Sequence, residues 1–143
     1  MPTKVGKEIL TYLTVDEITL INRAVMQEHG GVSRIRDKAA LESCAAQPSM
    51  MVFGYERFSS LSEKAAAYCF FISQNQPFQD GNKRTGFACA MRFLHLHISL
   101  AHINEISAFN VITAVARKEA AIEDLVNLFE TALATTDASE DHR

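Results

Sequence analysis

Asp80-Gly81-Asn82-Lys83-Arg84 sets a carboxylate, a glycine, an amide and two cations side by side, between two of the most apolar stretches of the chain. A helix start exposes unpaired amides and the positive end of the helix dipole, so a glycine-bearing turn leading into one is a ready anion site. Gly81 lets the backbone approach a ligand with no Cβ in the way, and Asn82 adds an amide donor. Lys83 and Arg84 bring two positive charges to the same turn. Asp80 would repel a bare anion, but a carboxylate next to phosphates is the usual way to hold Mg²⁺. The chemistry suggested is phosphate binding with a metal. Its alternative is a well-capped interhelical turn with solvated charges, and composition alone does not decide between them.

The elements that position this turn read as helices. Thr14 and Glu17 form a capping box, after which Ile18, Ile21 and Val25 recur at helical spacing until Gly30-Gly31. Asp37 caps a second, shorter helix through Leu41 and Ala45, ended by Pro48. Ser49 to Ser59 mixes β-branched and aromatic residues around Gly54 and predicts an extended segment or small hairpin. Ser60 and Glu63 form another capping box. The helix they open carries Leu61, Ala65, Tyr68 and Ile72 on one stripe, widened by Cys69, Phe70 and Phe71, the pattern of a helix buried on several sides. Phe87, Ala90, Met91, Leu94 and Ile98 predict an equally central helix after the polar turn. Two more follow, through Ala108, Val111, Ile112 and Val115, and through Ile122, Leu125, Val126, Phe129 and Leu133. The expected architecture is all-α with a short hairpin. It forms a single domain over 1–143, with its core at about 12–134 and loose tails at Met1 to Tyr12 and Thr135 to Arg143.

Bulk properties set limits. A chain of 143 residues, 48% hydrophobic, builds one ordinary core and has little length for a second. With 14 basic and 17 acidic residues the net charge is −3, which gives no sign of a nucleic-acid or membrane partner, so any cationic site is local. Cys44, Cys69 and Cys89 follow no metal or redox spacing and read as reduced core thiols, in keeping with a cytoplasmic protein. No hydrophobic signal core is seen at the N-terminus, and the apolar run Ala65 to Ile72 is too short to span a bilayer. His95 and His97 fall on different helix faces, and with His102 they lack an acid or cysteine at ligand spacing, so they read as structural. His29 suits the negative end of the first helix. Gly81-Asn82-Lys83 is not a Walker A loop, since the earlier glycine and the Gly-Lys-Ser/Thr order are missing.

Pro77-Phe78-Gln79-Asp80-Gly81-Asn82-Lys83-Arg84-Thr85 resembles the signature loop of the Fic/Doc superfamily, His-x-Phe-x-Asp/Glu-Gly/Ala-Asn-Gly/Lys-Arg. The lysine form is typical of the death-on-curing, or Doc, branch. Tyr12 to Ile18, His29-Gly30-Gly31, Ile35-Arg36-Asp37, Leu41-Glu42-Ser43 and Leu61 to Ala65 are similar to further landmarks of Doc-like chains. The resemblance implies a Fic/Doc-like helical bundle with a flap, and transfer of part of ATP to a hydroxyl of a target protein. Typical Fic enzymes attach AMP; Doc toxins phosphorylate elongation factor Tu. Carried over, Asp80 would hold Mg²⁺, and Gly81 and Asn82 would form an anion hole from backbone and side-chain donors. Arg84 would neutralise charge developing on the phosphoryl group. Lys83 stands where AMP-transferring members have a second glycine, and Phe87 stands where many have a second arginine, both of which argue against ordinary AMP transfer. Ser49 to Ser59 matches the flap that pairs with a target peptide, with Phe53, Tyr55 and Arg57 as contact candidates. The inhibitory pattern Ser/Thr-x-x-x-Glu-Gly/Asn is not met, because Lys64 follows Glu63, so the expected regulator is a separate antitoxin.

The departure from the family is Gln76. The motif has histidine there, the general base that takes the proton of the target hydroxyl, and a glutamine amide cannot accept that proton. The expectation is a loop that binds ATP·Mg²⁺ while transfer is suppressed. Gln76 belongs either to a weakened or repurposed member or to one whose base was replaced so that a toxic protein could be produced. A non-catalytic protein that binds nucleotide or an antitoxin-like partner is the competing reading.

Overall fold

Reciprocal capping fixes two helix starts. In the computed structural model, which describes residues 9–98 and 102–141 with side chains through 133, the Thr14 hydroxyl accepts the Glu17 amide at 3.1 Å while the Glu17 carboxylate accepts the Thr14 amide at 2.9 Å. Ser60 and Glu63 repeat the arrangement. The helices are α1 (Val15–His29), α2 (Lys38–Ala46), α3 (Leu61–Asn75), α4 (Asn82–His95), α5 (Glu105–Ala116) and α6 (Ile122–Asp141). A 3-10 turn over Gln47–Ser49 and the strands β1 (Met51–Val52) and β2 (Tyr55–Glu56) separate α2 from α3. This is the all-α class with a short antiparallel hairpin that the sequence predicts.

Helix α3 is the central element. Ala65 through Cys69 and Ile72 are all buried, and the helix packs on α2, α4, α5 and α6. Its closest neighbour is α4, because Gly86 has no side chain: a Cβ there would stand 2.9 Å from the Cys69 carbonyl oxygen and 3.1 Å from Ser73 Oγ. The two helices flanking the polar turn are thereby locked together, so the turn sits on a rigid base. Around them Phe93 meets Tyr68 and stacks on Tyr12, while Phe87 packs against Phe109 and Phe129.

Both expected tails are shorter than predicted. Leu13 N–H donates to the buried Tyr68 hydroxyl at 2.8 Å, and Thr11 N–H donates to His97 Nε2 at 2.9 Å. Since Nε2 accepts, His97 Nδ1 is the protonated nitrogen and donates to Phe93 O at 2.9 Å. Residues 11 and 12 are docked, and His97 has the structural role assigned to it; residues 1–8 lie outside the described part. At the other end the α6 backbone continues to Asp141, past residue 135. No helix among the described residues is long and apolar enough to cross a membrane.

The hairpin pairs Met51 with Glu56 and Val52 with Tyr55. Two residues per strand do not hold a hairpin in water. Lys64 supplies the missing anchor from the first turn of α3. Its ammonium is fully buried and donates to Pro48 O at 3.1 Å, Phe58 O at 2.6 Å and Glu56 Oε1 at 2.7 Å, closing both ends of the hairpin. All three of its donors are used. Lys64→Met is expected to lower the unfolding free energy by about 3 kcal/mol, the low end for breaking a buried pair because Glu56 keeps some contact with water. Urea denaturation measures this, and a loss below about 0.5 kcal/mol, typical of a surface substitution, would contradict the anchoring role.

The three cysteines are free and buried. Desolvation raises the Cys44 thiol from its ordinary 9.0 to about 11, against a smaller opposing bond from Asn75, and raises Cys69 to about 12. Unfolded thiols therefore ionise first as the pH rises. Their burial contributes stability in full below pH 9 and loses it as the pH climbs toward 11 and beyond. An alkylating reagent at pH 8 is expected to leave all three unlabelled in the folded protein and to label them in denaturant; rapid labelling of the native chain would contradict this burial.

Candidate functional site

Helix α3 ends at Asn75, and Gln76 turns the chain by adopting the left-handed conformation (φ 48°, ψ 60°), with its N–H still bonded to Ile72 O at 3.1 Å. Phe78 then drops its ring into the core. Asn82, the first residue of α4, closes the loop: its Oδ1 accepts the Phe78 N–H at 3.0 Å and its Nδ2 donates to Phe78 O at 2.9 Å. Gly81 is the N-cap of α4, at φ 76° and ψ 24°. A side chain there would strain the backbone and push the Met26 methyl aside, so glycine is favoured.

The start of α4 is chemically open. Thr14, Asp37, Ser60 and Asn104 cap α1, α2, α3 and α5 with side-chain oxygens, but no side chain caps α4. The first-turn amides of Asn82, Lys83 and Arg84 are therefore left for an external acceptor, at the positive end of the dipole. The side chain of Asn82, expected to be a ligand donor, spends one of its two Nδ2 hydrogens on Phe78 O, which leaves the second hydrogen and the backbone amide of residue 82.

The segment that contains the Ile35-Arg36-Asp37 landmark clasps this loop, a role that the sequence does not reveal. Residues 34–37 run antiparallel to 77–79, bridging Ile35 to Phe78. Gln79 N–H donates to Arg34 O at 2.8 Å, and the Arg36 and Asp37 amides donate to Pro77 O at 2.7 and 3.1 Å. Val32 N–H donates to Asp80 Oδ2 at 3.0 Å. Behind the loop, the fully buried Asn22 donates through Nδ2 to Asp80 O and Thr85 Oγ1, both at 3.0 Å, and accepts the Ser33 hydroxyl at 2.8 Å. Asn22 thus ties α1, the clasp, the turn and α4 together. A signal for it existed: Ile18, Asn22 and Met26 form the most buried stripe of α1, at spacings of four, and a lone amide on an apolar stripe needs polar partners. Ile21 and Val25, read as part of the same face, are half-buried at its edge.

Asp80 is half-buried, with one carboxylate oxygen held by Val32. Among the described residues no three histidines, cysteines or acids gather as a metal cage. A lone carboxylate beside an uncapped helix start fits Mg²⁺, which takes one or two carboxylates and completes its shell with phosphate oxygens and water. Lys83 and Arg84 are exposed. The Arg84 guanidinium lies 5.2 Å from the Phe109 ring centroid and 3.5 Å from His29 Nε2. It forms one wall of a cavity of about 340 Å³ between α1, α4 and α5, which His29, Phe87, Met91 and Phe109 also line.

The predicted residues thus fall into two groups. Asp80, Gly81, Asn82, Lys83 and Arg84 share one turn, with Gln76 exposed at its head. On the hairpin, Phe53 and Tyr55 are 95% and 78% exposed and free to meet a partner. Arg57 is committed to the fold instead, bonded to Gln47 Oε1 at 3.0 Å and lying 5.0 Å from the Phe58 ring centroid.

Comparison with known proteins agrees with this geometry. The chain is 38% identical over 68 residues to Toxin Doc of Mycolicibacterium smegmatis (strain ATCC 700084 / mc(2)155), a match covering 48% of this chain and 52% of that protein. The matched region is therefore about half the relative's length. The Fic/DOC family profile matches residues 12–94, from the docked segment before α1 to the end of α4, and so takes in the clasp, the hairpin, the polar turn and both helices that carry it. On that match the chain belongs to the Fic/DOC family.

Proposed function

We propose that this protein is a Doc-like toxin of a toxin-antitoxin system. Its fold serves to move the γ-phosphoryl group of ATP to a hydroxyl of a target protein, a translation factor such as elongation factor Tu by analogy with its family, and Gln76 halts the reaction at binding. The observation that carries the proposal is the uncapped start of α4, with Gly81, Lys83 and Arg84 at its amides and Asp80 alongside. The backbone amides of residues 82–84 donate to phosphate oxygens, and Arg84 stabilises charge that grows during transfer. Mg²⁺ bound at Asp80 would neutralise phosphate charge. The exposed Gln76 amide can orient a hydroxyl but cannot take its proton. The partners that follow are the target protein, presented along the hairpin, and a cognate antitoxin.

Gln76 also favours a second reading, a non-catalytic family member that acts by occupying nucleotide or partner. Transfer of AMP is the weaker alternative, because Phe87 is held between Phe109 and Phe129 where a second arginine would be needed. Incubating the chain and its Gln76→His variant with cell extract and ATP labelled at the α or the γ phosphate separates these. Label from γ alone, appearing with the variant, is the expected result. Label from α redirects the assignment to AMP transfer, and no label from either chain, despite ATP binding, overturns the enzyme reading in favour of the binding one.

A further inference from the structure

Residue 76 is where a base would act, and the direction of its side chain is set by its backbone. That backbone is left-handed in a residue that is not glycine, a conformation that persists only where the surroundings impose it. It also lies at the end of α3, whose last carbonyls have no partner within the helix. Arg36 meets the last of them, Asn75 O, and the two carbonyls beyond it. Arg36 donates through Nε to Gln76 O at 2.7 Å and through Nη2 to Asn75 O at 2.9 Å, while its own N–H donates to Pro77 O at 2.7 Å. Three consecutive carbonyls, 75 to 77, are thus held by a single arginine, with its positive charge at the negative end of the α3 dipole. The planar fork of the guanidinium allows both side-chain bonds at once, which a lysine ammonium on a flexible stem does not reproduce.

We infer that Arg36 is a positioning residue for transfer: it holds residue 76 in the left-handed conformation and thereby aims the side chain at that position. The inference rests on the transferase reading for its effect on rate, but not for its effect on the loop. Arg36 touches the backbone of residues 75–77 and not the amides of residues 82–84, so it acts on turnover and not on nucleotide affinity.

The test has two parts. In the Gln76→His background, Arg36→Ala is expected to lower kcat for label transfer by about 10- to 100-fold, the scale of a misplaced reacting group, with KM for ATP changed by less than about twofold. Arg36→Lys should recover only part of the loss. An unchanged kcat, or a fall in kcat matched by an equal loss of ATP binding, would overturn the inference. In the chain as it stands, hydrogen exchange of the segment 75–80 is expected to accelerate in Arg36→Ala while that of α1 stays the same. If Gln76→His transfers no label, the transferase reading fails by itself and the exchange result decides the clamp: faster exchange confined to 75–80 supports it, and unchanged exchange ends it.

Discussion

Gln76→His is expected to raise the rate of phosphoryl transfer by about 10²- to 10⁴-fold, the usual worth of a positioned general base, and to leave ATP affinity nearly unchanged. The side chain at 76 is exposed, so the substitution disturbs no packing. The backbone it needs is already imposed by Arg36 and by the pairing of residues 34–37 with 77–79. What changes is chemical. Imidazole is neutral and can accept a proton near pH 7, while a glutamine amide has no comparable basicity. The variant's kcat/KM should accordingly rise with pH through about 6.5, the ordinary imidazole value, because the base works only when unprotonated. A gain of less than tenfold, or a rate with no dependence on pH between 5 and 8, would show that residue 76 is not the missing base.

Arg84→Ala, made in the Gln76→His background, is expected to lower kcat by about 10²- to 10³-fold, as removal of a preorganised charge stabiliser does elsewhere. Arg84 is exposed at the start of α4, with its guanidinium 5.2 Å from the Phe109 ring centroid, within a side chain's reach of a phosphoryl group bound at the first-turn amides. Arg84→Lys should retain part of the rate through its point charge while losing the bidentate geometry. ATP affinity should fall much less than kcat, since the backbone amides of α4 remain. An Arg84→Ala protein that keeps full kcat would place the charge stabilisation elsewhere, with Lys83 the next residue to test.

Much of the frame is legible in the sequence because it is written in side chains. The capping pairs Thr14/Glu17 and Ser60/Glu63 mark helix starts, Asp37 caps α2, and Gly54 sits at the turn of the hairpin. The polar turn at 80–84 is visible as a cluster of residue types that a plain turn does not need. The clasp at 32–37 is not legible in the same way, because its bonds run between backbones and Arg36 binds carbonyls, which carry no residue signature. Lys64 looks like any solvated helix cation, and only the fold shows its ammonium buried under the hairpin. Asn82 was identifiable by motif, yet the direction of its amide was not, since the loop closure to Phe78 depends on where that backbone returns. The described parts of the supposed tails are helical or docked for a similar reason: Thr135, Thr136 and Asp137 have weak helix propensity, but α6 continues to Asp141 from a packed body, and the Thr11 and Leu13 amides bond to His97 and Tyr68, contacts that link residues far apart in the chain.

The turn is expected to bind its nucleotide and to lack only the group that turns it over. Calorimetric titration of ATP·Mg²⁺ into the chain and into its Gln76→His variant tests this most directly. Both are expected to bind with dissociation constants within about twofold of each other, because the proposed phosphate contacts of residues 82–84 do not involve residue 76. Absence of binding to either protein, with both folded, would contradict it.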